Sequence, residues 1–424
     1  MKYIFLSRAN LIIASIILIV FAIIFQALKI EFFGKNIVWV GFLFFLIVNL
    51  YYFRPSLKDL YFFLILGIIL SIDFLYSSSQ RGLFGLIFIS LTYITYRNRV
   101  FIDDRYKAIP IKILYLVCIL ISLVGIYRYL FGFSLPNSEN LYGLISCQDR
   151  AYPYFGISYI NSSRNSDSLF FVAGLISSYW LYNNSKGNER FFYILGVLLF
   201  TILCFLTLSR WVFLAVLLAY LILASWRSLG FLFLALLIIF IAVKFYDADP
   251  ISNIKRSYCA ESNTARINST SQKIHNPLQL FSSSILSIAR PKEASNQVSN
   301  SFQYSNNQRV NIYLVTIKEI IGNPLGHGYD NPGDDLKKLR PNLKILHSEN
   351  LFLDFIHAYG IFAIMILFPF VFFKYKTVIN LKNNSFNSFG LSLGLAMILF
   401  ASLNSPINYS VFWILLFLSF TYSD

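Results

Sequence analysis

The segment Leu346-His-Ser-Glu-Asn-Leu-Phe-Leu-Asp-Phe-Ile-His-Ala-Tyr-Gly360 marks the point at which a long polar stretch of the chain becomes a long apolar run. If this segment is helical, Asn350, Asp354 and His357 lie within roughly a quarter-turn of His347, so that one polar stripe follows the helix. Ionisable groups at membrane depth usually serve function, because their burial in hydrocarbon is unfavourable. The segment therefore predicts a helix that enters a membrane beside a functional site.

The composition of the whole chain is that of a membrane protein. Of its 424 residues, 57% are hydrophobic and only 13% are charged, whereas roughly 25% of the residues in a soluble domain are charged. The mean hydropathy is +0.63. These values exclude a soluble domain and predict an all-α polytopic membrane protein.

Apolar runs long enough to cross about 30 Å of hydrocarbon predict about twelve transmembrane helices. The first run follows Lys2 and Arg8 as a signal peptide would, but it is long and lacks a small-residue cleavage site before Lys29, so we expect it to be retained. The predicted spans are Leu11–Leu28, Ile37–Tyr52, Leu60–Tyr76, Leu83–Tyr96, Ile111–Leu130, Ser168–Tyr182, Phe191–Leu208, Trp211–Ser225, Leu229–Phe245, Leu351–Phe373, Phe389–Leu403 and Ile407–Phe420.

Basic residues in the short connections predict the orientation. With the N-terminus in the cytoplasm, the basic connections fall on the cytoplasmic side, and only Lys29, Lys35 and Arg81 lie in short loops on the other side. The long connections Phe131 to Asp167 and Tyr246 to Asn350 then lie outside. The chain divides into a membrane region 1–245 with about nine spans, a large periplasmic loop 246–350 and a membrane region 351–424 with about three spans.

The large outer loop is too long to be a plain connection. Its part from Ser252 to Ser305 is rich in Ser, Asn and Gln and predicts a flexible insertion. Apolar residues at helical spacing from Arg309 to Ile321 predict an amphipathic helix on the membrane surface. Gly322-Asn-Pro-Leu-Gly-His-Gly328 then predicts a tight turn that lets the backbone approach a ligand closely.

Cations accumulate on the predicted outer side. The net charge is +15, and the outer loops hold more Lys and Arg than orientation requires, which favours an anionic substrate and excludes nucleic acid, from which the membrane separates these loops. Arg210, in Thr207-Leu-Ser-Arg-Trp211, offers either a planar fork for phosphate oxygens or an interfacial anchor to lipid headgroups. Arg164, in Asn161-Ser-Ser-Arg-Asn-Ser-Asp167, has either the same role or a place in a solvated turn.

Histidines supply the candidate bases. His347 either takes a proton from a substrate hydroxyl, because imidazole titrates near neutrality, or caps a helix. His327, between two glycines, belongs either to the substrate site or to the turn itself. Asp354 and His357 either face the substrate or join neighbouring helices. No His, Cys, Asp or Glu cluster has the spacing of a zinc or calcium site, so we predict no metal and no cofactor.

The four cysteines divide between two environments. Cys118 and Cys204 fall in predicted spans, whereas Cys147 and Cys259 fall in the two outer loops, which face an oxidising compartment. The latter two either form a disulfide, worth roughly 4–5 kcal/mol in the chain-entropy model, or remain free thiols that are too far apart to meet.

Several short motifs occur together between Asn161 and Gly360. They are Ser-Arg at an outer helix end, Arg309 before an amphipathic helix, Asn-Pro-Leu-Gly-His-Gly, and His347 with Leu351 and Gly360 downstream. This combination resembles the O-antigen ligase and O-antigen polymerase superfamily. In that family glycine commonly follows Ser-Arg and asparagine follows the loop histidine, whereas Trp211 and Ser348 occupy those positions here.

The resemblance implies an inverting, metal-independent glycosyl transfer of the GT-C kind. The substrate would be an undecaprenyl-pyrophosphate-linked glycan at the periplasmic face of a bacterial inner membrane, and the expected partners are this glycan, the bilayer and a chain-length regulator. Fixed cations would stabilise the leaving pyrophosphate, and a histidine would deprotonate the attacking hydroxyl. The implied catalytic residues are His347, Arg210 and Arg309, and the implied substrate-binding residues are Arg164, Asn350, Asp354 and His327.

Three functions are compatible with this sequence. A polymerase adds the glycan to another lipid-linked repeat unit, and we favour it because an acceptor that varies with every sugar structure tolerates divergence. A ligase transfers the glycan to lipid A core. A lipid-linked-oligosaccharide flippase or other transporter is disfavoured, because the polar residues gather at outer helix ends and in one loop instead of at the membrane midplane.

Overall fold

The structure is a computed structural model, and it describes part of the chain. The described residues are 8–27, 31–32, 35–77, 81–102, 104–131, 164–206, 210–223, 298–329, 331, 333–339, 348, 350–368, 370, 385–404 and 410–422. His347, the predicted span Leu229–Phe245 and both outer-loop cysteines lie outside these residues.

The described residues are mainly helical. The helices are α1 (Arg8–Ala27), α2 (Ile37–Tyr52), α3 (Leu57–Tyr76), α4 (Arg81–Asn98), α5 (Asp104–Phe131), α6 (Arg164–Asn184), α7 (Asn188–Leu206), α8 (Arg210–Leu223), α9 (Val298–Gly322), α10 (Asp334–Leu339), α11 (Leu351–Tyr359), α12 (Ser385–Leu403) and α13 (Ser410–Thr421). A 3-10 turn covers Arg99–Phe101. The all-α prediction needs one small correction, because β1 (Glu31–Phe32) and β2 (Lys35–Asn36) form an antiparallel hairpin between α1 and α2.

Several of these helices have the length and composition of membrane spans. Within the described residues, Asp59–Tyr76, Tyr106–Val124 and Ser385–Leu403 are long and apolar enough to cross a membrane. Shorter apolar helices cover Asn10–Ile24, Trp39–Tyr52, Trp211–Leu223 and Ser410–Thr421. The protein is therefore a helical membrane protein, and the total of about twelve spans stays a prediction.

Helix α6 lies at the centre of the bundle and is buried throughout 168–182. It packs against α5, α7, α8 and α12. Its buried serines bond within the helix: Ser177 Oγ donates to the Ala173 carbonyl at 2.7 Å and Ser178 Oγ donates to the Leu175 carbonyl at 2.9 Å. These hydroxyls need no partner from another helix, so the central helix can be polar in sequence and buried in structure.

Hydrogen bonds join helix ends that the charge pattern places on the same side of the membrane. On the predicted cytoplasmic side, they link Trp180 Nε1 to the Ser385 carbonyl, Asn183 Nδ2 to the Leu223 carbonyl, and Tyr422 Oη to the Lys107 carbonyl. On the predicted outer side, they link the Leu351 N–H to the Asn404 carbonyl and Ser77 Oγ to the Tyr329 carbonyl. The packing thus agrees with the alternation of the predicted connections, and the identity of the outer side stays a prediction.

The predicted continuous span Leu351–Phe373 is wrong, because the helix breaks at Gly360. Gly360 has a φ of 58°, and the backbone becomes helical again over 361–368. Both ends of α11 contact residues at predicted outer helix ends: Leu351 bonds to Asn404 after α12, and Tyr359 Oη donates to Asp73 Oδ1 in the last turn of α3 at 2.9 Å. Helix α11 therefore runs along the outer ends of the bundle, and the following segment enters it.

Candidate functional site

Helix α9 has one buried face and one exposed apolar face. Ile312, Thr316 and Glu319 are buried. The predicted amphipathic helix from Arg309 to Ile321 is confirmed as the second half of α9, but the helix begins at Val298, so the predicted flexible insertion up to Ser305 overlaps it. The exposed apolar side chains recur at helical spacing and are Val310, Leu314, Ile317 and Ile321.

The Glu319 carboxylate connects three helices. Its Oε1 accepts from the N–H groups of Asp335 at 2.9 Å and Leu336 at 3.1 Å, in the first turn of α10. Its Oε2 lies 2.9 Å from His357 Nε2 on α11. The carboxylate also packs against Gly333, where a Cβ would collide with it. We call this arrangement the Glu319 junction; it comprises Glu319, Gly333, the first turn of α10 and His357.

A second ion pair joins α9 and α10 at the surface. Lys318 Nζ lies 2.7 Å from Asp335 Oδ2, and the two side chains are 75% and 35% exposed. This hydrogen bond lowers the pKa of the Asp335 carboxyl and raises the pKa of Lys318. Exposed pairs of this kind contribute little to stability, because water and salt screen their charges, so the Glu319 junction is the stronger connection.

The glycine-rich turn after α9 packs against the protein's own backbone. Gly326 and Gly328 have φ values of 100° and 80°. A Cβ at position 326 would meet the Ala358 carbonyl, and one at 328 would lie 2.5 Å from the Tyr76 carbonyl carbon. The sequence predicted the turn, but these close approaches are to α11 and the end of α3, which explains the glycines without a ligand.

His327 lies on the end of α11. Its backbone N–H donates to the His357 carbonyl at 3.1 Å, and the next N–H, of Gly328, donates to the Ala358 carbonyl at 2.9 Å. The His327 ring stacks on the His357 ring with centroids 4.6 Å apart and planes 14° apart. These contacts account for His327 as part of the turn, and its contact with substrate stays a prediction.

Asn350 and Asp354 organise the start of α11. Asn350 has an extended backbone, and its Oδ1 accepts from the N–H groups of Phe352 at 3.0 Å and Leu353 at 3.1 Å. Asp354 Oδ1 accepts from the N–H of Ser348 at 2.7 Å and from its hydroxyl at 2.6 Å. Asp354 and His357 lie one turn apart on α11 and bond to different elements, Ser348 and Glu319. Asn350 is the cap of this helix, and the part of the predicted stripe at His347 lies outside the described residues.

The outer end of the α3–α4 pair completes this region. A Cβ at Gly82 would collide with Asp73, Tyr359 and Tyr329, so the start of α4 packs closely on them. Asn331 Nδ2 donates to the His327 carbonyl at 2.9 Å. These contacts fix the turn after α9 to the first membrane region, which the sequence separates from it by more than 200 residues.

The predicted arginines lie in helices whose backbones the structure describes, while their side chains lie outside the described part. Arg164 and Arg210 are the first residues of α6 and α8. Trp211 packs on Phe400 of α12, with ring centroids 4.9 Å apart, and Phe400 is one turn before Asn404, which bonds to the start of α11. Position 210 therefore lies at the same end of the bundle as Asn350.

Position 309 lies in the middle of α9. By the 100° rotation per residue of an α-helix, position 309 is about 20° around the axis from the buried Thr316. It is about 110° from the centre of the exposed apolar face. The register thus turns position 309 toward the side of α9 that faces α10 and α11.

An apolar cavity lies beneath α11. Its volume is about 350 Å³. Helix α11 contributes Leu351, Phe352, Phe355 and Ile356, and the other walls come from α4, the segment 361–368 with Phe370, α12 and α13. Two lining residues, Ile364 and Phe368, are more than half exposed on the protein surface, so the cavity reaches the surface that would face lipid. Among the described residues, no group of three or more His, Cys, Asp and Glu side chains could hold a metal ion.

The role of Glu319 was not predicted from the sequence. The amphipathic pattern from Arg309 to Ile321 does not separate Lys318 from Glu319, yet Glu319 is buried and Lys318 is exposed. The available signal was that Glu319 follows the buried Ile312 and Thr316 at seven and three residues, which is helical spacing. Its partner His357 lies 38 residues away, and no local pattern identifies that pairing.

Part of the chain is similar to a known protein family. Residues 194–368 match a family model described as O-antigen ligase. The match runs from α7 to the end of the segment 361–368 and includes Arg210, Arg309 and His347. No curated protein matches the chain. The match confirms the resemblance to the O-antigen ligase and polymerase superfamily.

Proposed function

We propose that this protein is a membrane glycosyltransferase of the polymerase type, because residues 194–368 match a family model described as O-antigen ligase. It transfers a glycan from undecaprenyl pyrophosphate to a hydroxyl group of another lipid-linked repeat unit, at the periplasmic face of the inner membrane. The observation that carries the proposal is the position of polar groups at outer helix ends directly beside an apolar cavity. An amphiphilic substrate needs both environments side by side.

The lipid tail of the donor occupies the cavity beneath α11. Its lining is apolar apart from Thr92, and Leu351 and Phe352 bring it to within one residue of the polar cap Asn350. Apolar burial stabilises a bound chain by about 25 cal/mol for each Å² removed from water. A tail held here places its pyrophosphate near the start of α11.

The arginines bind the pyrophosphate. Arg210 and Arg309, with Arg164, supply permanently charged planar donors that match phosphate oxygens in pairs. As the bond from the anomeric carbon to the pyrophosphate oxygen breaks, negative charge grows on the leaving group, and fixed cations stabilise that charge. Helix starts at positions 164 and 210 add backbone N–H groups that also favour an anion.

His347 is the general base. It takes the proton from the acceptor hydroxyl while that oxygen attacks the anomeric carbon from the face opposite the pyrophosphate, which inverts the configuration. One carbon–oxygen bond forms, one breaks, and undecaprenyl pyrophosphate leaves. Asp354 supports this step by fixing Ser348, the residue that follows His347.

A ligase is the second candidate, since the matching family is described as O-antigen ligase. A transporter is disfavoured, because the break at Gly360 lies level with outer helix ends and not at the midplane. Deletion of the gene followed by analysis of the lipopolysaccharide separates these functions. Core capped with a single repeat unit supports the polymerase, uncapped core with accumulated lipid-linked polymer supports the ligase, and unchanged lipopolysaccharide contradicts both.

A further inference from the structure

We infer that Glu319 and His357 are positioning residues. They hold α9, the helix that carries Arg309, against α11, the helix that covers the apolar cavity. This inference rests on the proposed function, since it concerns the distance between the pyrophosphate-binding arginine and the site of the lipid tail. Neither residue needs to touch substrate for this role.

Both partners of the Glu319 junction's ion pair are buried. The Glu319 and His357 side chains are 7% and 10% exposed, and the carboxylate accepts from two backbone N–H groups of α10 as well as facing the imidazole. A buried hydrogen-bonded pair of this kind resists separation, because loss of one partner leaves the other without a hydrogen bond away from water. The Glu319 junction therefore fixes the spacing of α9 and α11.

The distance along α9 between Glu319 and position 309 magnifies any tilt of the helix. Position 309 is ten residues from Glu319, which is about 15 Å along α9. A tilt of α9 by about 5° about the junction moves position 309 by about 1 Å over that length, and a misplacement of this size can reduce turnover by about 100-fold. A small change in the tilt of α9 at Glu319 therefore displaces Arg309 enough to lower turnover.

His357, the other partner of the ion pair, lies beside residues that line the cavity. His357 lies on α11 one and two residues after Ile356 and Phe355, which line the cavity. The same helix begins four residues after His347. The hydrogen bond between Glu319 and His357 thus links three parts of the proposed site. These are α9, which carries Arg309, α11, which covers the cavity, and the segment that follows His347.

The test compares variants of Glu319 and His357 with a variant of the neighbouring surface pair. In proteoliposomes with a defined lipid-linked donor, folded Glu319→Ala and His357→Leu should lower kcat by about 10–100-fold and change the donor KM by less than about 3-fold, because the arginine itself is retained. His357→Gln keeps an amide N–H near the position of Nε2 and should recover most of kcat. Lys318→Gln, the control, should match the wild type.

A distance measurement tests the same inference without activity. Spin labels on Leu314→Cys of α9 and Leu353→Cys of α11, with Cys147 and Cys259 changed to Ser, should give a narrow distance distribution in the parent and with Lys318→Gln. The distribution should broaden with Glu319→Ala. If Glu319→Ala fails to fold, Glu319→Asp replaces it, since the shorter side chain cannot reach α10 and His357 together.

The outcomes separate this inference from the proposed function. An inactive but folded wild-type protein contradicts the proposed function, while the distance distribution still tests the positioning of α9 against α11. If the wild type is active and the folded Glu319 variants keep both its kcat and its narrow distribution, the inference is wrong. Broadening together with a lower kcat supports it.

Discussion

Neighbouring turns of α11 carry different side-chain chemistry. Near its start Asn350 caps the helix and Asp354 holds Ser348, whereas His357 meets Glu319. Asp354 and His357 are only three residues apart, roughly 4.5 Å along the helix. Their partners lie on different elements, so a substitution at Asp354 removes the bonds to Ser348 and retains both partners of the bond between His357 and Glu319.

Asp354 is expected to act through Ser348. Asp354→Ala removes the acceptor for the Ser348 N–H and hydroxyl and should lower kcat by roughly 10-fold or more, while donor affinity stays near that of the wild type. Ser348→Ala removes only the hydroxyl contact and should produce part of the same loss. Steady-state kinetics and donor binding measure both effects. Weak donor binding by Asp354→Ala, with Ser348→Ala unaffected, would instead make Asp354 a direct substrate ligand.

Arg210 is expected to bind the pyrophosphate directly. Arg210→Ala should weaken donor binding by about 10–150-fold, which corresponds to the roughly 1.5–3 kcal/mol of a charged hydrogen bond. Arg210→Lys should recover only part of this, because an ammonium lacks the planar fork. Arg99→Lys is the control, since Arg99 stacks on Tyr96 at the predicted cytoplasmic side. Equal donor affinity in Arg210→Ala and the wild type would return Arg210 to the role of a lipid-interface anchor.

At the scale of elements, the break between α11 and the segment 361–368 determines the shape of the site. The Ile361 N–H donates to the Pro324 carbonyl at 2.9 Å, and the turn after α9 pairs with the carbonyls of His357 and Ala358. These bonds satisfy backbone groups that the break exposes, which a membrane protein requires. The break is therefore stabilised by hydrogen bonds, and it leaves α11 lying across the cavity.

The glycine at this break can be tested against a matched glycine. Gly360 and Gly187 have φ values of 58° and 61°, but a Cβ at 360 would collide with the Pro324 carbonyl, whereas a Cβ at 187 meets open space. Gly187→Ala should lower stability by about 1–2 kcal/mol, the strain of a left-handed residue. Gly360→Ala should lower it by a further 1–3 kcal/mol, roughly the effect of overpacking. Thermal unfolding in detergent compares them, and equal transitions would show that the close packing at Gly360 is unimportant.

Local sequence patterns predicted the helices and turns that depend only on neighbouring residues in the sequence. The apolar runs predicted membrane helices because hydropathy is a property of each segment. The spacing of Val310, Leu314, Ile317 and Ile321 predicted the second half of α9. The glycines and proline after it predicted where that helix ends.

Features that depend on distant contacts were not predictable. A hydropathy profile shows one continuous apolar run across Gly360 and does not detect the helix break. The break depends on the Pro324 carbonyl and on the turn that brings this carbonyl to Ile361. The burial of Glu319 depends on α10 and α11, and Tyr359 bonds to Asp73 across 286 residues. The candidate site was therefore predicted as a set of residue types, whereas the pairing of those residues needed the tertiary structure.

At the scale of the whole molecule, the placement of the site depends on orientation. Bonds such as Asn183 to Leu223 and Leu351 to Asn404 join ends that the charge pattern assigns to one side. A reporter fused after Lys376 should therefore read cytoplasmic, and one inserted between Ser282 and Ser305 should read periplasmic. Phosphatase and fluorescent-protein fusions give the two readouts. Inverted results at either position would put the arginines and His347 on the cytoplasmic side.

In the proposed function, this protein transfers a glycan from a lipid carrier at its outer face with His347 as the base. The most direct measurement is glycan transfer by purified protein in proteoliposomes, with His347→Ala compared at equal folded amount and with donor binding measured in parallel. We expect that the wild type extends the lipid-linked glycan, and that His347→Ala binds donor normally but transfers about 100–10,000-fold more slowly. Near-normal transfer by His347→Ala, or no transfer by folded wild-type protein, would contradict it.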